Sequence, residues 1–175
     1  MHATRYSQIK ANQEILPKPL LILDLDETII HTTNERIDTA WDFETTNFYV
    51  YIRPGLAKFI EAIQAHYKLA VWTAATKEYT STILSGLPFS ENDCEFVWTR
   101  QDCDFRASEC GATLPIKNLA KIRASYPDAT TVMIDDKPEF VVFDIEKVIP
   151  VKPFYGNQND QELEIVLAAL LSLID

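Results

Sequence analysis

The chain is poor in several things that would have decided its class early. It has four glycines in 175 residues, no low-complexity tract and no internal repeat. That length suits one domain with a real core. It has three cysteines, Cys94, Cys103 and Cys110, and no CxxC pair. An odd, scattered set argues against a disulfide framework and for reduced, structural thiols in a cytosolic-type compartment. His2, His31 and His66 offer no zinc spacing. No apolar run approaches the ~20 residues that cross a bilayer, and the N-terminus carries no apolar leader or small-residue cleavage site. Basic residues are in deficit: 16 against 26 acidic ones, for a net charge of −10. Without a basic run, direct nucleic-acid binding is not expected, because phosphate contacts need clustered Lys and Arg. An anionic ligand would have to be held locally, by a metal ion or a few placed cations. These absences predict a cytoplasmic monomer with no membrane segment, the nucleus being left open.

What is present is an alternation. "LILDLDETII" begins as a continuous apolar run, as expected of a parallel strand covered on both faces, and ends in Asp24 and Asp26. "NFYVYIRPG" reads as a strand and turn, pairing with residues 33–44. "GLAKFIEAIQAHY" spaces Leu56, Phe59, Ile60 and Ile63 as a helix does. "KLAVWTAAT" is a second buried strand ending at Thr73, and "KEYTSTILSGL" a helix closed by Gly86. Residues 87–115 read as irregular apart from a strand at "EFVWTR". "IKNLAKIRASY" reads as a helix, and "ATTVMIDDKPE" as a third apolar strand that ends in acids. "KVIPVKPF" is a short edge strand. "DQELEIVLAALLSLI" is a helix capped by Asp160, with Leu163, Val166, Leu167, Leu170 and Ile174 on one face. Residues 1–19 are polar and end in "PKP", whose two prolines hold an extended lead-in; residues 1–17 form an N-terminal extension and residues 18–175 one α/β domain with a mainly parallel sheet.

In such sheets, sites form beyond the carboxyl ends of the strands. Asp24 and Asp26, Thr73, and Asp135 and Asp136 all fall there. Crowded carboxylates repel one another unless a cation sits among them, and Mg²⁺ suits a few carboxylates plus substrate phosphate and water. Each fragment alone has an ordinary structural explanation: Asp-x-Asp as a turn or cap, Thr73 as a helix cap, Asp135-Asp136 as a cap before Pro138, Lys117 as a solvated surface lysine.

Taken in order, "DLDET", "VWTAAT", "IKNL" and "MIDDKPE" resemble the four motifs of the haloacid dehalogenase (HAD) superfamily of phosphohydrolases. More narrowly, "LDLDETIIHT", "YIRPGLAKFI", "VWTAAT" with "EY" soon after, and "IPVKPFYG" followed by "NDQEL" resemble the Fcp/Scp-type phosphatases, also described by the NLI-interacting-factor domain. The resemblance covers roughly residues 18–174. It implies a HAD-like Rossmannoid three-layer sandwich with no large cap, Mg²⁺ as cofactor, and a phosphorylated protein as substrate. It implies Asp24 as nucleophile and Asp26 as general acid and base. Leu25 would then point away into the core. Thr73 would hold a phosphate oxygen and Lys117 would offset charge on the phosphoryl group. Asp24, Asp136 and the backbone carbonyl of Asp26 would hold the metal, with Asp135 orienting Lys117 or metal-bound water. Thr28 would steady the loop after the nucleophile. Arg53 would either contact substrate or pin its turn.

Two departures stand out. The small-phosphatase branch commonly has Asp-Asn where this chain has Asp135-Asp136, and residues 87–115 match little. The competing readings are a small-molecule or nucleotide-end phosphatase with the same machinery, a non-catalytic phospho-binding module on the same fold, and a phospho-accepting signalling domain. Phe105, Phe154 and Tyr155 are either groove-lining residues or core edges.

Overall fold

A computed structural model describes residues 18–127, 129–143 and 146–174. The extension expected over residues 1–17 and the first proline of its lead-in lie outside the described residues. In chain order the elements are β1 (Leu20–Leu23), β2 (Ile30–Thr33), β3 (Phe43–Glu44), β4 (Tyr49–Ile52), α1 (Leu56–Gln64), β5 (Lys68–Trp72), α2 (Lys77–Leu84) and β6 (Cys94–Trp98). Then follow β7 (Asp104–Ala107), β8 (Thr113–Asn118), α3 (Ala120–Ser125), β9 (Thr131–Asp135), β10 (Val141–Val142), β11 (Lys147–Pro150) and α4 (Glu162–Leu171).

Five strands make a parallel sheet in the order β11-β9-β1-β5-β6. Successive side chains of a strand point to opposite faces, and the apolar runs divide accordingly. Leu21, Leu23, Leu69, Val71, Val132 and Ile134 pack against Phe59, Ile60 and Ile63 of α1, Ile83 and Leu84 of α2, and Leu163, Val166 and Leu170 of α4. Leu20, Ile22, Ala70, Trp72 and Met133 face the other way, onto Leu119, Ile122 of α3, Cys103 and Val141. Both faces are therefore covered, which is why β1 reads as an unbroken apolar run. Each such side chain contributes about 1.5–3 kcal/mol by leaving water. The result is the expected three-layer α/β sandwich. No large cap is evident among the described residues, and none of their helices is long and apolar enough to cross a membrane.

Four local expectations need correction. "IKNLAKIRASY" is not one helix: Ile116, Lys117 and Asn118 finish β8, and only Ala120–Ser125 is helical. Pairing decides this, because β8 is clasped between antiparallel β7 and parallel β10. The same hairpin gives order to part of residues 87–115, turning through Gly111, whose φ of 82° favours glycine. The partner of "NFYVYI" is chiefly β2, with Ile30 opposite Ile52, and β3 adds only Phe43 and Glu44. On α4, Ile174 lies beyond the helix end and is exposed.

Candidate active site

The site begins where β1 stops. Asp24 is still in register, its N–H donating to the carbonyl of Ile134. The chain then wraps tightly. The carbonyl of Leu25 accepts from the N–H groups of Thr28, Ile29 and Ile30, the last an i to i−5 bond of the π type. Glu27 takes a φ of 59° to allow this. Leu25 is fully buried, as its alternation with the two aspartates requires.

The turn brings distant groups onto Asp24. Lys117 Nζ, at the end of β8, donates to Asp24 Oδ1 at 2.5 Å and to Asp135 Oδ2 at 2.7 Å. Thr28 Oγ1 donates to Asp24 Oδ2 at 2.8 Å and accepts from the Asp136 N–H at 3.1 Å. Asp135 Oδ1 accepts from the Lys137 N–H at 2.8 Å. Asp24, Lys117 and Asp135 are all buried. Burial pushes the Asp24 carboxyl up to about 7, against the pull of the Lys117 ammonium. Burial pulls Lys117 down, but the two carboxylates facing it outweigh that and keep it protonated, above its ordinary value. Burial also raises Asp26, opposed by a hydrogen bond from the Tyr79 hydroxyl.

Asp24, Asp135 and Asp136 each present a carboxylate oxygen, and the three lie within 4.8 Å of one another. Asp136 Oδ2 is buried and receives no hydrogen bond among the described residues. Lys137 Nζ stands 3.4 Å from it, close enough for attraction but not aligned to donate. A buried, unsatisfied carboxylate oxygen among other carboxylates fits a hard divalent cation such as Mg²⁺. The Asp26 side chain stays outside this cluster and turns to Tyr79 instead.

Thr73 follows β5 directly and is buried, its Oγ1 accepting from the Ala75 N–H at 3.1 Å. It lines a pocket of about 230 Å³ with Asp24, Asp26, Lys117, Asp135 and Asp136, walled by Leu114, Pro115 and Phe140. A wider cleft of about 680 Å³ adjoins it, lined on the shared side by Asp26 and then by Glu27, Thr32, Phe48 and Tyr79.

Arg53 lines neither pocket. It is fully buried, donating to Asp160 Oδ1 and Oδ2 at 2.8 and 3.0 Å, and to the carbonyls of Thr28 and Lys152 at 2.7 Å. Of its two expected roles, these bonds are the ones that pinning the turn requires. Thr28 likewise holds the loop and lines neither pocket. Phe154 is buried beneath Arg53. Phe105 and Tyr155 are exposed but do not line these two pockets. Tyr79 was legible only as the "EY" of a motif, since its contact with Asp26 joins residues far apart in the chain.

Comparison with known proteins gives a family. The model of the NLI interacting factor-like phosphatases matches residues 19–175. Phosphatase PSR1 of Saccharomyces cerevisiae is 25% identical over 98% of this chain and 40% of its own. CTD nuclear envelope phosphatase 1 of Xenopus laevis is 27% identical over 97% of this chain and 70% of its own. The structure of Fcp1, an essential RNA polymerase II CTD phosphatase, superposes with a TM-score of 0.54 at 25% identity, covering 89% of this chain and 49% of that one. The chain thus spans less than half the length of two of these three proteins. With four motifs converging at one sheet rim and a family model matched from residue 19 to 175, the chain belongs to the NLI interacting factor-like phosphatases.

Proposed function

We propose that the chain hydrolyses phosphomonoesters through an aspartyl-phosphate on Asp24, with phosphoserine or phosphothreonine in a protein as the substrate. The observation that carries this reading is the division of labour between two carboxylates from one strand end. Asp24 is gripped by two donors, Lys117 and Thr28, which favour its ionised, nucleophilic form against burial. Asp26 is free of the lysine and borders both the small pocket and the wider cleft. One carboxylate is thus kept as a nucleophile and the other left to move protons.

An Asp24 oxygen bonds to phosphorus as the ester P–O bond breaks, and the departing oxygen takes a proton from Asp26. Water then attacks phosphorus, giving its proton to Asp26, and the Asp24–phosphorus bond breaks to release phosphate. Lys117 balances charge on the phosphoryl oxygens and on Asp24, and Thr73, before the first turn of α2, offers its hydroxyl to a phosphoryl oxygen. Asp24 and Asp136, with the Asp26 carbonyl, would hold Mg²⁺, which supplies Lewis-acid stabilisation of the phosphoryl charge. A protein substrate is favoured by the adjoining cleft of about 680 Å³ and by the absence of a large cap among the described residues.

The test is hydrolysis of an aryl phosphate and of a phosphopeptide panel, with Mg²⁺ and with EDTA. Activity should require Mg²⁺ and fall by several orders of magnitude in Asp24→Asn, as expected when a covalent nucleophile is lost. A folded wild type inactive on both substrates with Mg²⁺ would sink the reading and leave a phospho-binding scaffold.

A further inference from the structure

Asp24 is anchored by Lys117, but what anchors Asp26 lies across the cleft. Its Oδ1 accepts a hydrogen bond from the Tyr79 hydroxyl, the one hydrogen bond that this carboxyl receives among the described residues. Tyr79 stands in the first turn of α2, where its own N–H is given to the Thr76 cap. Its ring is held edge-on by Phe48, with centroids 5.5 Å apart. Its hydroxyl also lies 3.1 Å from Thr32 Oγ1 on β2. A phenol has one proton, so a Tyr79 that donates to Asp26 accepts from Thr32.

A partly buried tyrosine commonly finds some partner for its hydroxyl. Here the partner is the carboxyl that the reaction needs, and only one of its two oxygens is taken. Asp26 borders both the small pocket and the cleft, so the untethered Oδ2 is the oxygen left for the ester.

We infer that Tyr79 is a positioning residue for proton transfer by Asp26, its hydroxyl fixing Oδ1 so that Oδ2 meets the departing ester oxygen, with Thr32 bracing the phenol from β2. This rests on the proposed hydrolase reading. It has a consequence that a merely structural role lacks. A serine alkoxide is a poor leaving group and needs its proton in the transition state, whereas p-nitrophenolate leaves well without one. Misplacing the acid should therefore damage the two reactions unequally.

The experiment compares the full chain with Tyr79→Phe and Thr32→Val, in Mg²⁺, on a phosphoserine peptide and on p-nitrophenyl phosphate. Tyr79→Phe should lower kcat on the peptide at least about tenfold more than on the aryl ester, with KM for each within about threefold, a part of what a positioned acid supplies. Thr32→Val should act in the same direction and less, and it carries the test if thermal melting finds Tyr79→Phe unfolded. Equal losses on both esters, or no loss on either, would overturn the inference and leave the hydrolase reading standing. A wild type that hydrolyses neither ester would overturn the hydrolase reading and this inference with it; an Asp26→Asn variant as active as wild type on the peptide would overturn the role of Asp26, and so this inference, with hydrolysis itself standing.

Discussion

Thr28 is a small side chain with two obligations: Oγ1 donates to Asp24 and accepts from the Asp136 N–H. Valine fills nearly the same space but can do neither. Thr28→Val should lose about 1–3 kcal/mol of stability, because it leaves a part-buried N–H unpaired and a buried carboxylate short of a donor. Urea unfolding reads the stability and aryl phosphate turnover should fall alongside it; an unchanged unfolding midpoint would mean that water replaces the hydroxyl. Lys117 faces the larger consequence. Lys117→Met leaves Asp24 and Asp135 buried without their common cation, a change worth about 3–5 kcal/mol when one partner of a buried pair is removed. The sign with pH follows from Asp24. Burial lifts its folded pKa from 3.8 to about 7, so between those values the folded state holds the extra proton. Metal-free stability from this group therefore rises as pH falls through that window, and is reduced above it. Without Lys117 the Asp24 carboxyl rises further, so melting in EDTA from about pH 5 to 8 should find the deficit of the variant growing with pH. A deficit that shrinks as pH rises would refute the assignment.

Arg53 works between elements. From the end of β4 it ties together the Thr28 carbonyl beside the site, the Lys152 carbonyl after β11, and Asp160 before α4. Partial burial raises the Asp160 carboxyl, but the bonds from Arg53 and from the Glu162 N–H outweigh it and hold its pKa below the ordinary 3.8. Its contribution is thus present above the ordinary value and lost as pH falls through the lower, folded one. Asp160→Asn should cost about 3 kcal/mol near neutral pH, since it strands a buried guanidinium. The gap from wild type should close in acid, below about pH 4, in urea titrations. None of this tie was legible in "YIRPG" alone, because Asp160 lies far along the chain. β1, β5 and β9 were legible because burial on both faces writes itself as an apolar run, and a strand that ends in acids marks the rim. β7 and β8 were not: "DFRA" alternates over only four residues and its apolar members stay exposed, and Pro115 interrupts "TLPIKN". Lys117 was thus identified by its motif while its element was misread as a helix. Its placement comes from pairing with β7 and β10, which local sequence does not record.

At the scale of the whole molecule the net charge is −10, and the site gathers three carboxylates, Asp24, Asp135 and Asp136, of which the Lys117 ammonium holds two. A divalent cation seated there binds the folded chain and not the unfolded one. Mg²⁺ at about a hundred times its Kd should add about 2.7 kcal/mol and raise Tm accordingly. EDTA should reverse the rise and Asp136→Asn should abolish it; a rise that survives in Asp136→Asn would place the ion elsewhere. One feature of the sheet reaches beyond equilibrium. β1 sits at its centre, with Leu20 opposite Lys68 on one side and Thr131 on the other. In order of synthesis β5 follows β1 and β9 comes long after both, so one edge of the strand that ends at Asp24 stays open until β9 emerges. Until then that apolar strand has one uncovered edge, which invites chaperones and stray strands alike. Asp24 cannot meet Asp135 and Asp136 before that edge closes, so the acidic cluster is completed late.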